Sequence, residues 1–149
     1  NFILPGVYGP GDHIDINRVH ALDGLIIRMI NSKKNKNKSF EIWGTGKPLR
    51  EWIFVNDVVK LIDKLMQKNL NYEYINLAQK KGYSILQITK LIKKHLNYKV
   101  KFIYNKKFSD GDPVKILDNK IFNKYSYKYK FEKIEEGIKK TIKYYKKVL

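Results

Sequence analysis

Apolar residues recur along this chain at two different periods, and the alternation between them divides it into strands and helices. Phe2 to Leu4 is a short apolar run that ends in the Gly/Pro-rich stretch Pro5 to Asp12, which predicts a buried strand followed by a loop. Leu22, Leu25, Ile26, Met29 and Ile30 fall at helical spacing and predict a helix of about three turns, ending in the lysine and asparagine run Lys33 to Lys38. That run is expected to be a mobile loop. Phe40 and Ile42, then Trp52 to Val55, predict two short strands on either side of a Gly/Pro turn. Val58, Val59, Ile62, Leu65 and Met66 form a second helical stripe, with Asn56 or Asp57 expected as its cap. Tyr74 to Ala78 predicts another strand. Ser84 and Gln87 then have the spacing of a capping box ahead of Ile85, Ile88, Ile92 and Leu96. Val100, Phe102 and Tyr104 alternate with polar residues as a half-buried strand does, and a loop follows at Ser109 to Pro113. Ile134, Ile138, Ile142 and Tyr145 predict a closing amphipathic helix. Strands alternating with helices make this an α/β chain, and no internal repeat interrupts it.

Composition narrows the class. At 149 residues, 43% of them hydrophobic, the chain is long enough for one domain with a real core. The absence of cysteine excludes disulfides and thiolate metal sites, and no metal site is predicted. No run approaches the roughly 18 apolar residues of a membrane helix. The opening Asn1-Phe2-Ile3-Leu4-Pro5 reads as the middle of a strand, with no initiating Met and no cleavage signal, so a fragment is expected, and the lack of cysteine and of a membrane run fits a cytoplasmic setting. Against 14 acidic residues stand 31 Lys+Arg, a formal +17 that would attract polyanions. Tyr125, Tyr127 and Tyr129, interleaved with lysines, would suit base stacking in a nonenzymatic RNA- or DNA-binding module. Yet the lysines are spread over nearly every surface face with asparagines beside them, which favours a solvated basic surface over a dedicated nucleic-acid site.

Two stretches carry candidate chemistry: Tyr8-Gly9-Pro10-Gly11-Asp12, and Trp43-Gly44-Thr45-Gly46-Lys47-Pro48-Leu49-Arg50-Glu51-Trp52. Each joins an apolar run to a Gly/Pro turn bearing charge. Arg50 lies beside a turn whose glycines allow close backbone approach, and its planar fork of donors suits phosphate oxygens; Glu51 is a candidate to orient it. The implied ligand is anionic. No glycine-rich dinucleotide fingerprint is present, and no Tyr-x-x-x-Lys pair stands in a plausible catalytic setting.

The order YGPGD, His20, WGTGKPLREWIFVNDV, Asp110-Gly111-Asp112-Pro113 and a closing helix resembles the C-terminal half of an extended short-chain dehydrogenase/reductase. This is the NAD-dependent epimerase/dehydratase family, and the likeness is greatest to its GDP-L-fucose synthase branch. It covers essentially the whole chain. The resemblance implies a substrate-binding domain over 1–149, with 1–12 and 72–80 contributing to late strands of a Rossmann-type parallel sheet. An N-terminal Rossmann half, absent from these residues, would bind NADP or NAD and supply the Tyr/Lys pair. The implied reaction is epimerisation and NADPH reduction of a GDP-4-keto-6-deoxy sugar, in a homodimeric enzyme. Another nucleotide-sugar 4-epimerase or 4,6-dehydratase is the nearest competing reading.

The same resemblance assigns residues. His20 matches a histidine that acts as acid/base in epimerisation, a task suited to imidazole near neutral pH; the bland alternative is a helix-start histidine bonded to a loop carbonyl. Arg28 and Arg50 match basic groups that bind the diphosphate, and Trp43 matches a residue that holds substrate. Arg28 lies eight residues past His20, ~12 Å along the same predicted helix, so both can face one cleft. Arg28 could instead snorkel along the apolar stripe, and Trp43 could be a core anchor. Asp110 and Lys115 match a loop near the nucleotide, or else form a plain Asp-Gly turn. Pro5, Gly6 and Val7, with His20, would edge the cofactor. Two positions depart from the family pattern: Gly6 stands where an asparagine is common, and Val114 where a basic residue is common.

Overall fold

Residues 1–126 and 128–149 are described by the computed structural model. In chain order the elements are β1 (Phe2–Ile3), β2 (Gly6–Tyr8), α1 (Ala21–Lys34), β3 (Ser39–Trp43), β4 (Leu49–Phe54), α2 (Val55–Met66) and β5 (Ile75–Asn76). Then follow β6 (Gly82–Ser84), α3 (Ile85–His95), β7 (Lys101–Asn105), β8 (Val114–Lys115), α4 (Lys120–Ser126) and α5 (Ile134–Val148).

Strand β4 organises the molecule, because successive side chains of a strand point to opposite faces. Trp52 and Phe54 enter a core with Tyr8, the buried stripe of α1, Ile88 and Ile92 of α3, and Ile138, Ile142 and Tyr145 of α5. Ile53, on the other face, enters a second core with Val58, Leu61 and Leu65 of α2, Ile75, Leu77 and Phe122. β4 pairs parallel with β2 (Gly6 to Trp52, Tyr8 to Phe54), antiparallel with β6 and parallel with β8. β3 pairs parallel with β7, Ser39 opposite Lys101. β1 pairs parallel with β5, Phe2 opposite Ile75, so the segments 1–12 and 72–80 do meet in space.

Several expectations need correction. The stretch Pro5 to Asp12 is not all loop: Gly6 to Tyr8 form β2, since Val7 and Tyr8 can each bury a face once paired with β4. The two strands around the Gly/Pro turn, β3 and β4, lie in different sheets and do not pair with each other. Val55 opens α2 rather than closing a strand, and Phe54 is the cap residue. Asp57 does not cap; its buried carboxylate accepts the Tyr129 hydroxyl at 2.7 Å and the Glu132 N–H at 2.8 Å, tying α2 to the segment ahead of α5. The capping box of Ser84 and Gln87 is present. The first two residues of the lysine-rich run, Lys33 and Lys34, are the end of α1, and the Tyr98 hydroxyl donates to the carbonyls of Asn37 within the run and Ser32 just ahead of it, at 2.6 and 2.9 Å. Of the interleaved tyrosines, Tyr127 lies outside the described residues. Tyr129 is engaged with Asp57, and Tyr125 accepts the Asn71 N–H at 3.4 Å. Tyr129 and Lys133 have Tyr-x-x-x-Lys spacing but share no helix, Lys133 being the cap residue of α5.

Candidate functional site

The first turn of α1, the β3–β4 turn, the loop after β7 and the start of α3 enclose a cleft of about 280 Å³. Its wall contains His20, Arg28, Trp43, Arg50 and Asp110, five residues singled out by motif alone. Arg28 reaches the cleft from the second turn of α1, where helical spacing places it on the face of His20. Its guanidinium donates to the Glu41 carbonyl at 2.6 Å and lies over the Trp43 ring, 4.0 Å from the centroid. Burial draws its pKa below the ordinary value, with Glu41 opposing that shift. Trp43 is not a core anchor: it is 45% exposed, stacked at 4.6 Å on Phe108, and its indole N–H donates to Glu41 Oε1 at 3.0 Å. The result is a layered wall of Phe108, Trp43 and Arg28.

Arg50 and Asp110 form reciprocal latches between the β3–β4 turn and the loop ahead of β8. Arg50 donates to the carbonyls of Leu49 (2.9 Å), Asp112 (2.6 Å) and Asp110 (3.0 Å). The Asp110 carboxylate in turn accepts the Thr45 hydroxyl at 2.6 Å and the Thr45 N–H at 2.7 Å, bonds that hold its pKa below the usual carboxylate range. Gly44, at φ +72°, is required here because a Cβ would overlap Asp110 Oδ1. Arg50 therefore shapes the rim with part of its donor set. A guanidinium has five N–H donors, so some remain for a ligand. Glu51 does not orient Arg50. As the next residue of a strand it points away, and its buried carboxylate accepts the N–H groups of Gln79 (2.7 Å), Lys80 (2.8 Å) and Leu117 (3.0 Å).

A second cavity, about 350 Å³, shares Ala21, Arg50 and Ile85 with the first and is lined by Pro5, Gly6 and Lys115. At Gly6 a Cβ would lie 2.8 Å from Trp52 Cδ1, so a larger side chain there would require the indole to shift. Val7 alternates to the opposite face of β2, packs against the second core, and borders a third hollow with Tyr8, Asp12 and His20. Small, apolar Pro5 and Gly6 fit an edge contact to a nicotinamide cofactor. Among the described residues no glycine-rich turn leads into a helix to hold its phosphates.

His20 is the cap residue of α1 and its ring is bonded to a carboxylate, not to a loop carbonyl. Sequence reasoning gave its partner, Asp12, no role, although Asp12 closes the quoted Tyr8 to Asp12 motif. It also passed over Asp23, in the first turn of α1 and fully buried, whose carboxyl accepts the Gly9 N–H at 3.3 Å. Burial lifts the Asp23 pKa to about 7, against the pull of Gly9. Neither residue shows a spacing signal, since both partners depend on the path of the 9–20 loop. Of the other histidines, His13 lies 3.4 Å from Arg18, and His95 Nε2 lies 3.3 Å from Glu135, joining α3 to α5.

Residues 1–78 match the NAD dependent epimerase/dehydratase family. This chain belongs to that enzyme family. It is 29% identical over 139 residues to a probable GDP-L-fucose synthase 1 of Oryza sativa subsp. japonica, covering 93% of this chain and 42% of the relative. It is 29% identical over 140 residues to GDP-L-colitose synthase of Yersinia pseudotuberculosis, covering 93% and 45%. The chain thus spans less than half the length of the curated relatives it matches. The fold matches a crystal structure of a GDP-L-fucose synthetase from Naegleria fowleri bound to NADP, with a TM-score of 0.91 at 24% identity over 98% of this chain and 46% of that one. The expected α/β architecture of the family is what the chain adopts. No helix among the described residues is long and apolar enough to cross a membrane.

Proposed function

We propose that residues 1–149 are the substrate-binding part of a nucleotide-sugar epimerase/reductase, acting on a GDP-4-keto-6-deoxy sugar. The observation that carries this reading is the convergence of one imidazole, two guanidiniums and an exposed tryptophan on a single cleft. Arg28 and the remaining donors of Arg50 neutralise the diphosphate, where a planar fork matches phosphate oxygens. Trp43, backed by Phe108, walls the sugar. His20 moves the proton at a carbon next to the ketone, whose C–H is acidified by that carbonyl. Lys115, bordering the adjoining cavity, adds positive charge, and the Asp110 latch keeps the Trp43 turn in place. A bound NADP or NAD would supply hydride to the ketone. Pro5, Gly6 and Val7 offer it only an edge, so a Rossmann half of about the length by which the relatives exceed this chain would hold the rest. In that assembly, 1–12 and 72–80 would continue the parallel sheet begun by β1 and β5.

The test uses the full-length protein that carries this chain, given GDP-4-keto-6-deoxymannose and NADPH in deuterated water. The expected result is NADPH oxidation with deuterium appearing at the carbons flanking the ketone. Turnover of UDP-sugars with none of the GDP-4-keto sugar would shift the reading to a 4-epimerase or 4,6-dehydratase. Tight, salt-sensitive nucleic-acid binding with no sugar-nucleotide binding would replace both with a basic nucleic-acid module.

A further inference from the structure

The loop from β2 to α1 folds back so that one carboxylate holds His20 at two points. Asp12 Oδ2 accepts the His20 backbone N–H at 2.8 Å, and His20 Nδ1 lies 3.0 and 3.1 Å from the two Asp12 oxygens. Asp12 is itself fixed, its Oδ1 accepting the His13 N–H at 2.8 Å. Its side chain is 15% exposed while the imidazole is 71% exposed, so the carboxylate lies behind the ring and the ring stands at the cavity walls. Partial burial alone would raise the Asp12 pKa, but the N–H donors of His20 and His13 and the imidazole outweigh it and leave it lowered. At neutral pH Asp12 is therefore an acceptor only, and the atom facing it must carry hydrogen.

We propose that Asp12 is a positioning residue for His20: it holds the neutral imidazole in its Nδ1–H tautomer, leaving Nε2, which has no protein partner among the described residues, as the one atom that exchanges protons. Two features separate this from a passing surface ion pair. The same carboxylate binds the backbone and the ring of one residue, so it fixes χ1 as well as the tautomer. The His20 side chain makes no capping hydrogen bond to the backbone of α1, and Asp12 instead holds the backbone N–H of this cap residue, so Asp12 helps set the start of the helix that also carries Arg28. The second nitrogen of a functional imidazole is commonly held in this way, and loss of such a partner costs roughly 10- to 100-fold in function.

The proposal rests on the reading of His20 as the sugar's acid/base, and its test separates the two. Long-range proton–nitrogen NMR at about two pH units above the ordinary imidazole pKa of ~6.5 reports the tautomer directly. With three histidines in the chain, assignment by His13 and His95 variants is straightforward. Wild type should show His20 as Nδ1–H. Asp12→Asn keeps the shape and an acceptor for the backbone N–H, but presents an amide that can also donate, and the Nδ1–H preference should collapse. In the full-length protein the same variant should lower the rate of solvent deuterium incorporation roughly 10- to 100-fold with KM nearly unchanged. Added to His20→Gln, it should lower that rate no further. An Nε2–H tautomer in wild type, or a tautomer unmoved in Asp12→Asn, overturns the proposal whatever the enzyme does. Should Asp12→Asn fail to fold, the wild-type tautomer decides alone. Undiminished deuterium exchange in His20→Gln beside the expected tautomer would instead sink the acid/base reading and leave the Asp12–His20 pair standing.

Discussion

At Asp23 and Arg50 the cost of building the site falls on single side chains. Asp23 has a folded pKa of about 7, raised by burial above the ordinary carboxylate value of ~3.9. Between those values the folded chain keeps a proton that the unfolded chain has released. Stability from this group is therefore complete below about pH 4 and is lost as pH rises through about 7. Asp23→Asn removes that dependence while its amide oxygen still accepts the Gly9 N–H. Thermal melts should show the variant more stable than wild type near pH 8, by up to ~4 kcal/mol, with the gap closing toward pH 4. Equal melting temperatures at both pH values would make Asp23 an ordinary carboxylate. Arg50 has two duties, since it latches the 110–112 backbone and faces the cleft. In the full-length enzyme Arg50→Ala should raise the nucleotide-sugar KM at least about tenfold, a charge-assisted contact being worth ~1.5–3 kcal/mol, and should also lower the melting temperature. Arg50→Lys should restore little of either, because one ammonium cannot reach carbonyls at 110 and 112 together. A KM unchanged in both variants would leave Arg50 as a latch only.

Between elements, buried carboxylates act as ties where short strands offer few ladder bonds. Glu51 accepts N–H groups from the 79–80 turn and from Leu117, so one side chain joins β4 to the chain after β5 and after β8. Glu51→Ala would leave three inward-facing donors unpaired at ~1–3 kcal/mol each, so a loss of about 3 kcal/mol or more is expected in denaturant titration. Glu51→Gln, which retains one acceptor oxygen, should lose less. A loss in Glu51→Ala no greater than that of an exposed lysine would show that water satisfies those donors. The element scale also explains what was legible in the sequence. Helices α3 and α5 each bury a stripe at helical spacing, α1 is buried nearly all round over 22–27, and the capping box at Ser84 uses only residues three apart, so local reading finds them. β2, β6 and β8 are two or three residues long and exist because β4 pairs with them. No periodicity can appear in so few residues. Asp57 and Glu51 were misread for a related reason: near a helix start or an arginine, local partners look sufficient, yet their true partners lie 75 and 66 residues away.

At the scale of the whole molecule, motif order located the cleft residues because the Gly/Pro turns fix them on rigid neighbours. Their bonding depended on long-range contacts no spacing encodes. His20, Arg28, Trp43, Arg50 and Asp110 share one wall, whereas Lys115, Pro5 and Gly6 border the next cavity and Val7 turns to the far side of β2. On the proposed reading the cleft would offer a proton-handling group and anion-binding groups, while among the described residues no glycine-rich turn leads into a helix that could hold a dinucleotide's phosphates. Ile3, Leu4 and Tyr74, on and beside the β1–β5 pair, are more than a third exposed, as apolar residues are where a sheet can accept further strands. Hydride transfer needs both a held nicotinamide and a positioned donor for the ketone oxygen. The Tyr129 hydroxyl, the one phenol at Tyr-x-x-x-Lys spacing, is bonded to Asp57 instead. Residues 1–149 alone, mixed with NADPH and GDP-4-keto-6-deoxymannose, should therefore oxidise no NADPH above background, while calorimetry with GDP-sugars should still detect binding that is weakened in Arg28→Ala. NADPH oxidation by these residues alone would mean that the β1–β5 edge and the Pro5–Val7 rim hold the cofactor unaided, and the division of labour between two halves would have to be abandoned.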